Sequence, residues 1–132
     1  MSQENVELFL RALDAWNRRD VDTWIGLWDP DGVWHPAFEW IADGRTYRGH
    51  AAIRQEFEDQ GEFADGAHAE FREVRDLGDQ VLGLGHFRMR FASGVELDTD
   101  SAVLATWRNG KCVEAHAWLS HAEALEALGL RE

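Results

Sequence analysis

The spacing of hydrophobic residues changes from helical to alternating at about residue 67, and this change limits the folds open to the chain. Alternating runs predict four strands, at residues 68–76, 80–91, 95–108 and 111–119. Short joints that contain glycine separate these runs, at Gly78-Asp79, Ser93-Gly94 and Asn109-Gly110. Because such joints are typical of β-hairpins, the second half of the chain is predicted to be an antiparallel meander.

Before this point the apolar residues recur at helical spacing in three segments. Residues 3–18 form the first predicted helix, Asp20 caps a short second helix that Pro30 ends, and Gly49 opens a third that runs to about Glu58. A brief strand at 32–36 ends in His35-Pro36, and residues 37–48 are predicted to be a loop. A closing helix runs from His121 to Leu128 behind the N-cap Ser120.

The predicted register of the central hairpin separates the two faces of the sheet. With Ala92-Ser93-Gly94 as a three-residue loop, three complementary pairs share one face: Arg90 with Glu96, Arg88 with Asp98 and His86 with Asp100. The opposite face is mostly apolar and suits a concave wall covered by helices. We therefore predict one α+β domain over residues 1–132, in which an antiparallel sheet packs against three N-terminal helices and is followed by a short C-terminal helix.

Composition excludes several classes of function. The chain has 132 residues and 25 acidic against 13 basic side chains, a formal net charge of -12 that repels nucleic acid and anionic membranes. Its single cysteine, Cys112, is incompatible with a disulfide framework. There is no secretory signal and no long apolar run, so a cytoplasmic protein is expected.

Aromatic residues are abundant, with seven tryptophans and seven phenylalanines. Such a number suits a thick core, a face for self-association or a cavity with aromatic walls, and composition does not choose between these.

Four tracts carry a family resemblance: WNRRDVDTW, DPDGVWHP, YRGHAAI and WRNGK. Together with the order of helices and strands they resemble the nuclear transport factor two-like superfamily, and within it the SnoaL-like and ketosteroid-isomerase-like small proteins. The resemblance implies a cone-shaped, curved antiparallel sheet wrapped around the three N-terminal helices. It also implies a pocket in the mouth of the cone and commonly a dimer through the convex side of the sheet. It implies little about chemistry, because isomerases, cyclases, dehydratases, epoxide hydrolases and binding proteins share this fold.

His35 is the one catalytic residue that this resemblance suggests. It stands where the ketosteroid isomerases have an aspartate base before a proline, and an imidazole could move a proton next to a carbonyl at neutral pH. The alternative is that His35 only hydrogen-bonds backbone at a strand end. The positions that match the family's other catalytic groups hold Ala12, Val103 and Ala117, so the donor would come from Glu39, Trp40 or Tyr47 in the loop.

The predicted pocket wall is largely aromatic and aliphatic. Its candidate substrate-binding residues are Trp16, Trp24, Glu39, Trp40, Phe57, Phe87, Val103, Ala117 and Leu119. No HxH or HExxH spacing occurs, so neither a metal site nor a cofactor is predicted. The direction of His116 depends on the last turn, and we favour the side away from the pocket.

Two classes of function remain open. The first is a cofactor-independent enzyme, an isomerase, cyclase, lyase or hydrolase that moves a proton on a small hydrophobic carbonyl compound with His35 as base. The second is a non-catalytic protein that binds or sequesters a hydrophobic small molecule, or a dimer scaffold. A homodimer is expected in either case, because a predicted outer patch is apolar: Leu82, Leu84, Leu104 and Trp118.

Overall fold

In the part of the chain that the structure describes, the fold combines four helices with one six-stranded, curved and unclosed sheet. The computed structural model describes residues 2–37 and 46–130. The helices are α1 (Ser2–Asn17), α2 (Val21–Gly26), α3 (Gly49–Phe63) and α4 (His121–Ala127). The strands are β1 (Trp28–His35), β2 (Tyr47–Arg48), β3 (Ala64–Asp76), β4 (Gln80–Phe91), β5 (Glu96–Arg108) and β6 (Lys111–Trp118). The predicted α+β class and the position of the helices are confirmed.

Side chains at the helix ends explain where two of these helices begin. The Asp20 carboxylate accepts a hydrogen bond from the Thr23 backbone amide at 3.3 Å, and so caps α2 as predicted. The Ser120 hydroxyl accepts one from the Glu123 amide at 3.2 Å at the start of α4. No helix within the described ranges has the length and hydropathy that crossing a bilayer requires.

Strands β3 to β6 form the predicted antiparallel meander. Arg90 lies opposite Glu96, Arg88 opposite Asp98 and His86 opposite Asp100, which confirms the register read from the sequence. The strand order in the sheet is β2-β1-β6-β5-β4-β3. Strand β1 pairs in parallel with β6, a contact between distant parts of the chain that the sequence pattern did not reveal.

One face of the sheet packs against the three N-terminal helices. Buried side chains from helices and sheet meet there, among them Phe9, Trp24, Trp28, Ile53, Phe57 and Trp107. Glycine is required where β3 crosses β4, because a Cβ atom on Gly85 would lie 1.8 Å from the backbone oxygen of Glu70. A larger residue at this position would force the two strands apart.

The opposite face of the sheet is covered in part by α4. Leu82, Leu84 and Leu104 are 0%, 6% and 5% exposed, and they pack with Ala124 and Leu125 of this helix. The expectation that these leucines form an exposed dimer patch is therefore wrong, because the chain's own last helix covers them. The homodimer remains a prediction, but the apolar patch no longer supports it.

Candidate functional site

A cavity of about 130 Å³ lies between the sheet and the N-terminal helices. Its wall includes the predicted residues Trp16, Trp24, Phe87, Val103, Ala117 and Leu119. Phe57 is buried behind this wall, where its ring packs against Trp24 with centroids 5.2 Å apart. Glu39 and Trp40 lie outside the described residues. Whether the wall residues bind a substrate stays a prediction, but the structure brings most of them together.

His35 is placed differently from the expectation. The described wall of the cavity contains its neighbours Trp34 and Pro36 but not His35 itself. Successive side chains of a strand point to opposite faces, and Trp34 takes the inner side of β1. The His35 ring therefore lies on the other face, where it stacks on His116 with centroids 3.8 Å apart. The prediction that this imidazole faces the cavity is wrong, whereas the outward direction of His116 is confirmed.

Glu56 is the ionisable group that the sequence analysis missed. Its side chain, on α3, is 3% exposed. One carboxylate oxygen, Oε1, accepts hydrogen bonds from Trp34 Nε1 at 2.8 Å and from Gln60 Nε2 at 3.0 Å. Burial raises the pKa of Glu56 from 4.5 to about 7, against the opposite effect of these hydrogen bonds. A carboxyl that titrates near neutrality thus lies behind two residues of the cavity wall.

Arg19 is the cation that acts on Glu56. Its guanidinium lies over the Phe57 ring, 3.8 Å from the centroid, and donates a hydrogen bond to the Phe57 carbonyl at 2.9 Å. Partial burial lowers the pKa of Arg19, while the charge of Glu56 raises it. Conversely, the positive charge of Arg19 favours the ionised form of Glu56.

Two polar atoms of the cavity wall are buried without a partner. Gln60 Oε1 and Trp107 Nε1 have no hydrogen-bond partner among residues 2–37 and 46–130. Gln60 donates through its amide nitrogen to Glu56, and this bond fixes the remaining oxygen as an acceptor. Two residues of the wall therefore carry an unpaired acceptor and an unpaired donor, both covered by neighbouring atoms, and Ser101 adds a third polar side chain to a largely apolar wall.

The length of α3 explains why sequence reasoning overlooked Gln60, whereas Glu56 lay within the predicted helix and was not singled out. The predicted helix ended at about Glu58, whereas α3 continues to Phe63. In the longer helix Glu56 and Gln60 are four residues apart and lie one turn from each other on one face. Glu56 and Gln60 lie three residues after Ile53 and Phe57, respectively. This helical spacing was the signal in the sequence that both side chains face inward.

Cys112 lines the same cavity without being reactive. It is 4% exposed, and burial raises the pKa of its thiol to about 12. The thiol therefore stays protonated at neutral pH, which disfavours a nucleophilic role in the cavity.

On the other face of β1 and β6, three possible metal ligands lie close together. His35 Nε2 is 2.9 Å from Glu114 Oε2, and His116 Nε2 is 3.6 Å from the same oxygen. Ligand atoms from the three residues all lie within 4.8 Å of one another. The search for HxH and HExxH motifs missed this group because parallel pairing of two distant strands assembles it.

The family follows from a match over most of the chain. The family model of the SnoaL-like domain matches residues 9–115. The chain belongs to the SnoaL-like domain family. The resemblance inferred from its sequence tracts is thereby confirmed, and no curated protein matches this SnoaL-like chain in sequence.

Solved structures share the fold of this SnoaL-like domain at low sequence identity. An NTF2-like protein of Burkholderia pseudomallei is 18% identical with a TM-score of 0.82, covering 93% of this chain and 95% of its own. TerC, co-crystallised with polyporic acid, is 22% identical with a TM-score of 0.80; the match covers 96% of this chain and 98% of TerC. A protein of Catenulispora acidiphila with a ketosteroid isomerase-like fold, in complex with trimethylamine, is 17% identical with a TM-score of 0.76, covering 95% and 94%. At these identities the likeness shows the fold alone.

Proposed function

We propose that this SnoaL-like domain binds a small, largely apolar molecule in the cavity between its sheet and helices. The observation that carries the proposal is a cavity of about 130 Å³ whose wall is apolar except for a few polar groups. An apolar cavity of roughly 150 Å³ in another protein takes up benzene, so the space suits a molecule with about one ring. Binding sites for small molecules commonly combine such walls with few, convergent polar groups.

The unpaired polar atoms define the chemistry of the ligand. Trp107 Nε1 can donate a hydrogen bond, and Gln60 Oε1 can accept one. A buried polar atom without a partner costs free energy, and a ligand that supplies the partner recovers it. A ring that carries a carbonyl acceptor and a hydroxyl or amine donor would satisfy both atoms once the Trp107 and Gln60 side chains shift to present them to the cavity.

Two proteins of the same fold support a small-molecule role. TerC was crystallised with polyporic acid and the Catenulispora acidiphila protein with trimethylamine. These molecules differ in size and chemistry, so they support the class of function rather than a ligand for this chain.

Binding is tested with matched small molecules. Titration calorimetry compares 4-hydroxyacetophenone, acetophenone and ethylbenzene, which share a ring but differ in polar groups. One satisfied hydrogen bond contributes about 1 kcal/mol, so each polar group should tighten binding by roughly fivefold. Trp107→Phe should abolish the advantage of acetophenone over ethylbenzene and leave ethylbenzene binding nearly unchanged.

A second pair of variants tests the location. Ala117→Leu places a larger side chain in the cavity wall and should abolish binding, whereas Ala122→Leu, on an exposed position of α4, should not affect it. The proposal fails if none of the three compounds binds, or if Ala117→Leu binds them as well as the wild type does.

Proton transfer on a carbonyl compound is a second candidate function, favoured by Glu56. This carboxyl has a pKa of about 7, and its Oε2 has no hydrogen-bond partner within the described part of the chain. A group with a pKa near the working pH serves best as a general base. Glu56 replaces His35 in this proposal, which requires Trp34 or Gln60, the wall residues in front of the carboxylate, to move aside for the substrate. The chemistry needs no cofactor.

Deuterium exchange provides the test for proton transfer. Nuclear magnetic resonance in D₂O follows loss of the methyl protons of acetophenone, which a base next to the carbonyl removes. Glu56→Gln should slow the protein-dependent exchange by roughly two to four orders of magnitude, whereas Glu58→Gln, an exposed residue of the same helix, should not. Equal exchange in wild type and Glu56→Gln would remove Glu56 from the mechanism.

A further inference from the structure

The cluster of His35, Glu114 and His116 lies on the face of the sheet opposite to the cavity. His35 pairs with His116 in the parallel ladder of β1 and β6, so the two side chains point to the same face. Glu114 lies two positions before His116 on β6 and therefore shares this face. The Glu114 carboxylate lies between the two histidine Nε2 atoms, at 2.9 Å and 3.6 Å.

We propose that these three side chains bind a divalent transition-metal ion of the zinc type. Two imidazoles and one carboxylate are the donor set of known zinc and non-haem iron sites. Zinc binds such donors at about 2.0–2.1 Å, so neighbouring donors of a tetrahedral ion are roughly 3.3 Å apart. The two measured separations lie on either side of this value. A bound ion would replace the hydrogen bond between His35 and Glu114 after the side chains rotate toward it.

At least one of the two rings must rotate substantially for both lone pairs to meet one tetrahedral ion. They are now parallel within 5° and stacked, so their Nε2 lone pairs run side by side. The His116 side chain is 40% exposed and that of Glu114 is 48% exposed, which leaves both free to adjust from the solvent side. The same exposure leaves the remaining coordination positions open to water.

A second histidine cluster on the sheet provides a contrast. His86 Nδ1 is 2.9 Å from Asp98, and His86 Nε2 is 3.6 Å from Asp100. Because the two carboxylates lie on opposite edges of the ring, they do not converge on one ion with a single imidazole nitrogen. This cluster is similarly exposed and has one more carboxylate, but it lacks the arrangement of donors.

The proposed ion joins the two strands that pair across the longest stretch of sequence. His35 and Glu114 are 79 positions apart. On the reverse of the same strands, Trp34 and Ala115 line the cavity. The metal site is independent of the proposed small-molecule site, since it uses side chains of the other face.

Calorimetric titration of protein without an affinity tag with ZnCl₂ tests the proposal. The wild type should bind one zinc ion per chain. Loss of one ligand should weaken binding by at least about 100-fold, because changes to residues behind the ligands already cost 10–100-fold. His116→Ala and Glu114→Gln should show this loss, whereas His86→Ala should bind as the wild type does. Co²⁺ should give visible absorption bands that the first two variants lack.

Thermal unfolding of each variant without metal checks that the fold is retained. The partly exposed positions of His116 and Glu114 make both substitutions compatible with folding. The proposal is overturned if the wild type binds no zinc at a one-to-one ratio, or if His86→Ala weakens binding as much as His116→Ala. The second result would identify unspecific binding to surface histidines and carboxylates.

Discussion

Replacement of Glu56 by glutamine should change how the stability of the protein depends on pH. Burial raises the pKa of this carboxyl to about 7 in the folded chain, whereas the pKa of an unburied glutamate is 4.5. Between these two values the folded state holds one proton that the unfolded state has lost. Stability therefore falls as pH rises through this window, because the folded state must finally ionise a buried group. Glutamine keeps the acceptor oxygen for Trp34 and Gln60 but does not titrate.

The magnitude follows from the two pKa values. They differ by about 2.5, and each pKa unit corresponds to about 1.4 kcal/mol, so the full effect is roughly 3 kcal/mol. At pH 4.5 Glu56→Gln and the wild type should have similar free energies of unfolding. At pH 8 the variant should be more stable by up to about 3 kcal/mol.

Urea unfolding followed by circular dichroism at pH 4.5, 6 and 8 measures this difference. Other titrating groups are the same in both proteins, so their contributions cancel when the two free energies are subtracted. Glu58→Gln, on an exposed position of the same helix, is the control and should show no comparable change with pH. A difference between Glu56→Gln and wild type that stays constant within about 1 kcal/mol over this range would refute the reasoning.

Three further substitutions test the packing, each by the free energy of unfolding in urea. Gly85→Ala should lower the free energy of unfolding by about 1–3 kcal/mol or more, because the new methyl group would overlap the Glu70 carbonyl. Gly66→Ala is the control and should lower it much less, because the space around Gly66 is open. Ile53→Ala should cost about 2–5 kcal/mol, because this side chain is 0% exposed. Ser120→Ala should cost about 1 kcal/mol through the lost cap of α4, and an unchanged stability would contradict the role of its hydroxyl.

The meander could be predicted because its information is local. The turn at 92–94 fixes the pairing of Arg90 with Glu96, and every later pair follows from the alternation of side chains along the strands. The same alternation correctly placed Val103 in the cavity wall and the charged pairs on the other face. Family resemblance added the cone and the pocket.

The site was less predictable because it depends on contacts between distant residues. Only the parallel pairing of β1 with β6 decides that Trp34 faces inward and His35 outward. The buried position of Glu56 results from how α3 packs against β1, which no local pattern expresses. Likewise, the sequence pattern of Leu82 and Leu104 predicted an interface between subunits, because it does not show that α4 covers these residues.

The parallel pairing of β1 with β6 also sets an order for folding during synthesis on the ribosome. β1 emerges early, yet its partner strand follows some 79 positions later. Until then the aromatic side chains of β1 and the first helices lack the wall that finally encloses them. The growing chain therefore exposes this incomplete hydrophobic core for several seconds. During that time, binding to chaperones or association with other chains would compete with completion of the sheet.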